Sequence, residues 1–230
     1  MTPSERLAEL ERLAELGGGE DRLKRQHQAG KLTARERVDL PPDQRIIVAH
    51  RPGATQTELR VGCLLPPMRT DRTALYDVFG DVLQMRLLQE LRWKSGLTYD
   101  VMSDVSSTAD GGTWASVRSD VDNSRLAEAL AIVRRQWQAM TPTEDEIDTV
   151  RWGRVRAYNL RFRTSASTAA ELYAAWNRGW SFDTLDDYPN ALASVVARDL
   201  EPLQARCLDN TVLLLIGDEP TIRSALAASH

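Results

Sequence analysis

The stretch "LLQELRWKSGLTYDV", Leu87–Val101, holds the corner on which the fold turns. Leu87, Leu88 and Leu91 continue the apolar side of a helix, and Gly96 stands where a left-handed C-terminal residue belongs. The segment "LTYDV" then takes up the alternation of a strand, so the repeat drops from about 3.6 residues to about 2. Arg92 lies just before this corner and Tyr99 just after it. Their spacing leaves open whether the pair holds the fold or holds a ligand.

Working outward, Leu75, Val78, Phe79 and Val82 extend the apolar side upstream, which predicts one long helix from about Thr73 to Lys94. Before it, "RIIVAH" (45–50) and "TELRVGCLL" (57–65) read as strands. The second alternates Thr57, Leu59, Val61, Cys63 and Leu65 against Glu58, Arg60, Gly62 and Leu64. After the corner, "LTYDVMSDVSS" (97–107) and "GTWASVRSDV" (112–121) form a hairpin around "TADGG". Helices are expected over Ser124–Met140, from the capping box Thr143/Glu146 through about Arg163, over Ser165–Gly179 and Asp183–Val196, and from Asp199. A last strand, "TVLLLIG" (211–217), precedes a short tail. This order predicts an α+β fold in which helices cover one face of a largely antiparallel sheet.

Pro41-Pro42 divides the chain into a helical arm, residues 1–42, and a body, residues 43–230. In the arm, Ser4 caps a helix whose stripe includes Leu7, Leu10 and Leu13, Gly17–Gly19 stop it, and Thr33 and Glu36 have capping-box spacing. So short a segment must lie on the body or on a second copy of the chain.

Composition narrows the functions. With 230 residues and 42% hydrophobic content the chain can bury one sizeable core. Its net charge of -4 lacks the basic face that phosphate neutralisation requires, so nucleic acid is not an expected partner. No apolar run is long enough for a membrane span, and charge from Glu5 onward does not read as a signal peptide, which leads to the cytoplasm. Cys63 and Cys207 sit in or beside apolar stretches without CxxC spacing and read as two buried, reduced thiols. The tryptophans Trp93, Trp114, Trp137, Trp152, Trp176 and Trp180 read as core or interface anchors. Trp152, Arg154, Arg156, Arg161 and Arg163 read as a solvated helix face bridged to acidic neighbours.

A search for chemistry finds little. His27, His50 and His230 form no HExxH or HxxEH pairing, and no GxSxG elbow or phosphate-binding glycine loop occurs. No catalytic residue and no metal ligand is assigned, and the carboxylates of "TEDEID" suit a helix start.

The region from about Arg45 to Leu226 nevertheless resembles the C-terminal domain of a subunit in the insulinase/pitrilysin family of zinc metallopeptidases, which includes mitochondrial processing peptidase. The resemblance lies in "RPGATQTELRVG" (51–62), "MRLLQELRWKSGLTYDVMS" (85–103), the Gly111-Gly112-Thr113-Trp114 hairpin, "TEDEID" (143–148) and "LLLIGD" (213–218). At the junction the family reads like SRL..LRE..GL.Y. Here Met85-Arg86-Leu87 and Leu91-Arg92-Trp93 replace its serine and glutamate, while Arg92, Gly96, Leu97 and Tyr99 fit. The resemblance implies that the zinc motif belongs to another domain and that Arg92 and Tyr99 hydrogen-bond the backbone of an extended peptide. It implies a non-catalytic domain that works beside a zinc-bearing HxxEH peptidase subunit, or as a homo-oligomer, with zinc supplied only by such a partner.

Residues 13–40, "LAELGGGEDRLKRQHQAGKLTARERVDL", carry a second resemblance, to the N-terminus of the carboxyltransferase β subunit of acyl-CoA carboxylases. It implies an alternative role, a docking arm over residues 1–40 for the subunits of a biotin-dependent carboxylase.

Overall fold

The alternation of the second strand decides which way the sheet faces. On β2, Gln56–Leu65, the side chains of Thr57, Leu59, Val61, Cys63 and Leu65 are buried, while those between them are partly or fully open. On β4, Thr113–Asp122, Thr113, Ala115, Val117, Ser119 and Val121 are buried in the same way. One face is therefore apolar and closed and the other, over β2 and β4, polar and open. The computed structural model describes residues 24, 25, 28, 45–68, 72–108, 112–139, 141–177 and 180–229. The chain forms two compact units, Met1–Arg45 and Ile46–His230, and every element discussed below belongs to the second. The Ser4 cap, the Gly17–Gly19 break, the Thr33/Glu36 box, His27 and His230 lie outside the described residues.

The described strands form one five-stranded sheet in the order β1-β5-β2-β4-β3. Here β1 is Ile46–His50, β3 is Met102–Ser107 and β5 is Val212–Gly217. Only the β1–β5 pair is parallel; β2 runs antiparallel to both β4 and β5, and β3 to β4. In this register Val61 lies between Val117 and Leu213, which places aliphatic side chains in a row across the closed face. The fold is the expected α+β arrangement with a largely antiparallel sheet.

Helices fill the closed face. Helix α1, Thr73–Leu88, buries Leu75, Tyr76, Val78, Phe79, Val82, Leu83 and Leu87. Helix α2, Leu126–Gln138, buries Leu130, Val133 and Trp137 among others. Helices α3 (Glu144–Ala157), α4 (Ser165–Asn177), α5 (Asp183–Ser194) and α6 (Ala197–Asp209) follow, with a short 3-10 segment at Tyr158–Phe162. The tail expected after the last strand is instead a helix, α7, Glu219–Ala228. Asp218 caps it through Thr221, and His50 Nδ1 accepts the Glu219 N–H at 3.0 Å. A cap at the chain's end is easily passed over when only apolar periodicity is followed.

Arg86 ties the first half of the chain to the second. Its guanidinium donates to the Ala139 and Thr141 carbonyls at 2.7 Å each and to Glu146 at 2.6 and 2.5 Å. Glu146 also accepts the Thr143 N–H at 2.8 Å, completing the capping box read from "TEDEID". The arginine thus fixes the α2–α3 loop, satisfying carbonyls that a helix end leaves unpaired.

Two expectations are corrected. Cys63 and Cys207 are joined in a disulfide rather than reduced, with Cα atoms 4.9 Å apart; the pairing spans 144 residues, beyond the reach of any local spacing rule. Arg154 does not stand on a solvated face, whereas Arg161 is exposed and bridged to an acidic neighbour, as expected. Arg154 turns inward to Asp81 (Nη2–Oδ1 2.8 Å) and Asp77 (3.4 Å), and Arg161 grips Glu171 with two bonds at 2.9 and 2.6 Å. These partners come from α1 and α4, so a charge run read along one helix cannot reveal them. Of the tryptophans, only Trp137 is fully buried among the described residues, its Nε1–H donating to Thr211 at 2.9 Å; Trp93, Trp152 and Trp176 are exposed.

Burial works to protonate Glu146, but the Arg86 guanidinium, the Thr143 N–H and the Thr143 hydroxyl outweigh it and hold the carboxyl below its ordinary value. A depressed folded-state pKa stabilises the fold above the unfolded value of about 4.3 and loses that contribution as pH falls through the folded value. Urea unfolding of Glu146→Gln at pH 7 is expected to show a loss of about 1–2 kcal/mol, limited by solvent screening. The gap to the parent should narrow as the pH is lowered below 4.

Candidate peptide-contact site

The site grows out of how α1 ends. After Leu88 the helix widens into a π turn, Gln89–Lys94, in which the Ser95 N–H reaches the Glu90 carbonyl at 3.2 Å. The Gly96 N–H donates to the Arg92 carbonyl at 3.0 Å and the Leu97 N–H to the Leu91 carbonyl at 2.7 Å, which closes the helix. Gly96 holds φ +59, the left-handed conformation in which a Cβ is unfavourable. Leu91 and Leu97 stay buried on either side of the turn, so the corner is anchored in the core while Arg92, Trp93 and Lys94 face outward.

Tyr99 does not belong to a strand as expected: β3 begins only at Met102, and Tyr99 is displayed from the loop before it. That loop is tied down. The Thr98 hydroxyl donates to the Asp120 carbonyl at 2.8 Å, and the Ser119 hydroxyl donates to Thr98 Oγ1 at 2.7 Å. Tyr99 is 84% exposed, and the Arg92 guanidinium carbon lies 4.8 Å from its ring centroid, a cation–π contact. The two residues singled out in the sequence are therefore brought together. Among the described residues neither the guanidinium nor the phenol has a hydrogen-bond partner, so their donors point to solvent.

Beside Tyr99 a shallow cleft is lined by Gln56, Leu97, Asp100, Asp120 and Asp122. The Ser124 hydroxyl and N–H hold the Asp122 carboxyl below its ordinary range. The acidic rim was not singled out from the sequence, although the alternation of "GTWASVRSDV" already puts Arg118 and Asp120 on the polar face. Trp93, the residue after Arg92, is 66% exposed at the position where the family pattern has an acid.

Chemically, a guanidinium and a phenol can donate to several backbone carbonyls at once. Among the described residues no group of three or more His, Cys, Asp or Glu is placed to hold a metal ion. A second cavity, between α1, α3, α4 and α5, is lined by Asp77, Arg154, Tyr158, Glu171 and Tyr188. Its charges are paired with one another. Burial, reinforced by Asp77, pushes the Tyr188 phenol well above its ordinary value, and its hydroxyl donates to the Asp77 carboxylate. This cavity is a packed polar joint between helices.

Comparisons with known proteins agree with the fold. A peptidase M16 inactive domain from Pseudomonas fluorescens is 18% identical, with a TM-score of 0.60, over 75% of this chain and 43% of that one. A protease from Helicobacter pylori is 15% identical, TM-score 0.61, over 74% and 43%. The periplasmic protease PqqL from Escherichia coli is 14% identical, TM-score 0.58, over 75% and 20%. The chain thus spans less than half the length of these proteins, and at such identities the likeness is one of fold. No curated protein matches the chain significantly. The carboxyltransferase resemblance finds no support in these comparisons. Residues 5–153 match the family described as the peptidase M16 inactive domain, the insulinase-like group to which the junction motif pointed. That match takes in well over half of the sequence, and the chain belongs to this inactive-domain family.

Proposed function

We propose that this domain is a non-catalytic gripping element for extended peptides, working beside a zinc-bearing HxxEH subunit that performs the cleavage. The observation that carries the reading is the exposed Arg92–Tyr99 pair, stacked, held on an anchored corner and free to donate. An extended backbone offers carbonyls at regular spacing, and two donors from one stacked unit can meet carbonyls of the same segment. Stacking also limits the rotamers of both side chains before binding, which reduces the ordering cost of capture. The fold contributes position only; bond cleavage would rest with the partner. Docking of residues 1–40 onto carboxylase subunits rests on the resemblance alone, and no feature of the described residues favours it.

Binding of a fluorescent extended-peptide library, with and without an HxxEH-bearing peptidase subunit, tests the reading. Arg92→Ala is expected to weaken binding about tenfold or more and Tyr99→Phe by a few-fold, in line with a charge-assisted and a neutral hydrogen bond. Thermal melting of both variants should match the parent, because both side chains are exposed. Absence of peptide binding in either setting, or unaltered binding by both variants, rules the proposal out.

A further inference from the structure

We infer that the Cys63–Cys207 disulfide is a permanent structural bond, and that the chain matures in an oxidising compartment rather than in the cytoplasm expected from its charged N-terminus. Cys63 lies on the closed face of β2 in line with Leu59, Val61 and Leu65, and Cys207 lies in the last turns of α6 with Leu200 and Leu203 on the same side. The bond therefore pins the helix to the middle of the sheet. It has a neighbour with the same task. The Leu64 N–H donates to Asn210 Oδ1 at 2.5 Å, and Asn210 Nδ2 donates to the Leu64 carbonyl at 3.0 Å. A buried side-chain amide thus pairs with the β2 backbone, one residue on from Cys63 and three on from Cys207.

Burial argues for permanence. Cys63 is 5% exposed and Cys207 is fully buried, so an attacking thiolate has no access without opening the core. A regulatory disulfide needs a sulfur that a reductant can reach. The chain has just two cysteines, so no other pairing within it competes and none is left free. Disulfides of this kind persist where thiols are not continually reduced.

Formation is an exchange with a donor disulfide. One cysteine thiolate attacks the donor, releasing one donor thiol and forming a mixed disulfide. The second cysteine thiolate then attacks the chain sulfur, the Sγ–Sγ bond forms and the second donor thiol leaves. Two electrons and two protons pass from the chain to the donor.

The full chain, trapped by alkylation in denaturant at the moment of lysis of its native host, is the sample to measure. Intact mass should show no alkyl label before reduction and two labels after it. Oxidised protein should melt roughly 5–15 °C above the reduced protein, and Cys63→Ala/Cys207→Ala should melt near the reduced form regardless of reductant. If the double variant does not fold, the comparison of oxidised with reduced wild type carries the test. Two labelled thiols in the trapped native chain, or equal melting before and after reduction, would overturn the inference.

Discussion

The structure depends on one constraint: the sheet is apolar on a single face. Leu59, Val61 and Val117 need helices over them, whereas Glu58, Arg60, Arg118 and Asp120 on the opposite side need water or a polar ligand. Each apolar side chain taken from water contributes on the order of 1.5–3 kcal/mol, far more than any surface ion pair here. The helices therefore collect on one side and leave a polar surface that ends, at the corner of α1, in Arg92 and Tyr99.

Two joints hold that layer in register. One is the Arg86 guanidinium, which reaches across to the α2–α3 loop and spends its donors on two carbonyls and a carboxylate. The other lies at the end of α6, where Asn210 and the disulfide fasten the helix to β2. Hydrophobic packing alone would let the helices slide over the sheet, and directional contacts fix where they stop. Between α1, α3 and α5, the Asp77–Arg154–Tyr188 cluster does the same with partly buried charge.

Much of this was legible in the sequence because it is local. Period-2 alternation located β2 and β4, the Thr143/Glu146 spacing located the start of α3, and Gly96 located the corner together with its left-handed conformation. The π turn was not legible, because widening a helix by one residue per turn leaves the apolar pattern nearly unchanged. Nor was the inward turn of Arg154, whose partners lie on other helices, or the union of Cys63 with Cys207, whose sequence separation hides their contact. The candidate site was half legible. Residue type and motif named Arg92 and Tyr99, but only the folded structure shows the ring stacked on the guanidinium and the aspartates beside it.

The family places this chain among insulinase-like domains described as inactive, and its corner keeps the pair that motif and geometry both single out. Trp93, the next residue in the chain after Arg92, replaces the acid of the family pattern and is exposed. Backbone amide chemical shifts of the labelled chain, followed during titration with an extended peptide, test the central claim most directly. The account predicts perturbations centred on Arg92–Asp100 and the adjoining polar face of β4; shifts absent there at saturating peptide, or confined to the helical side, would contradict it.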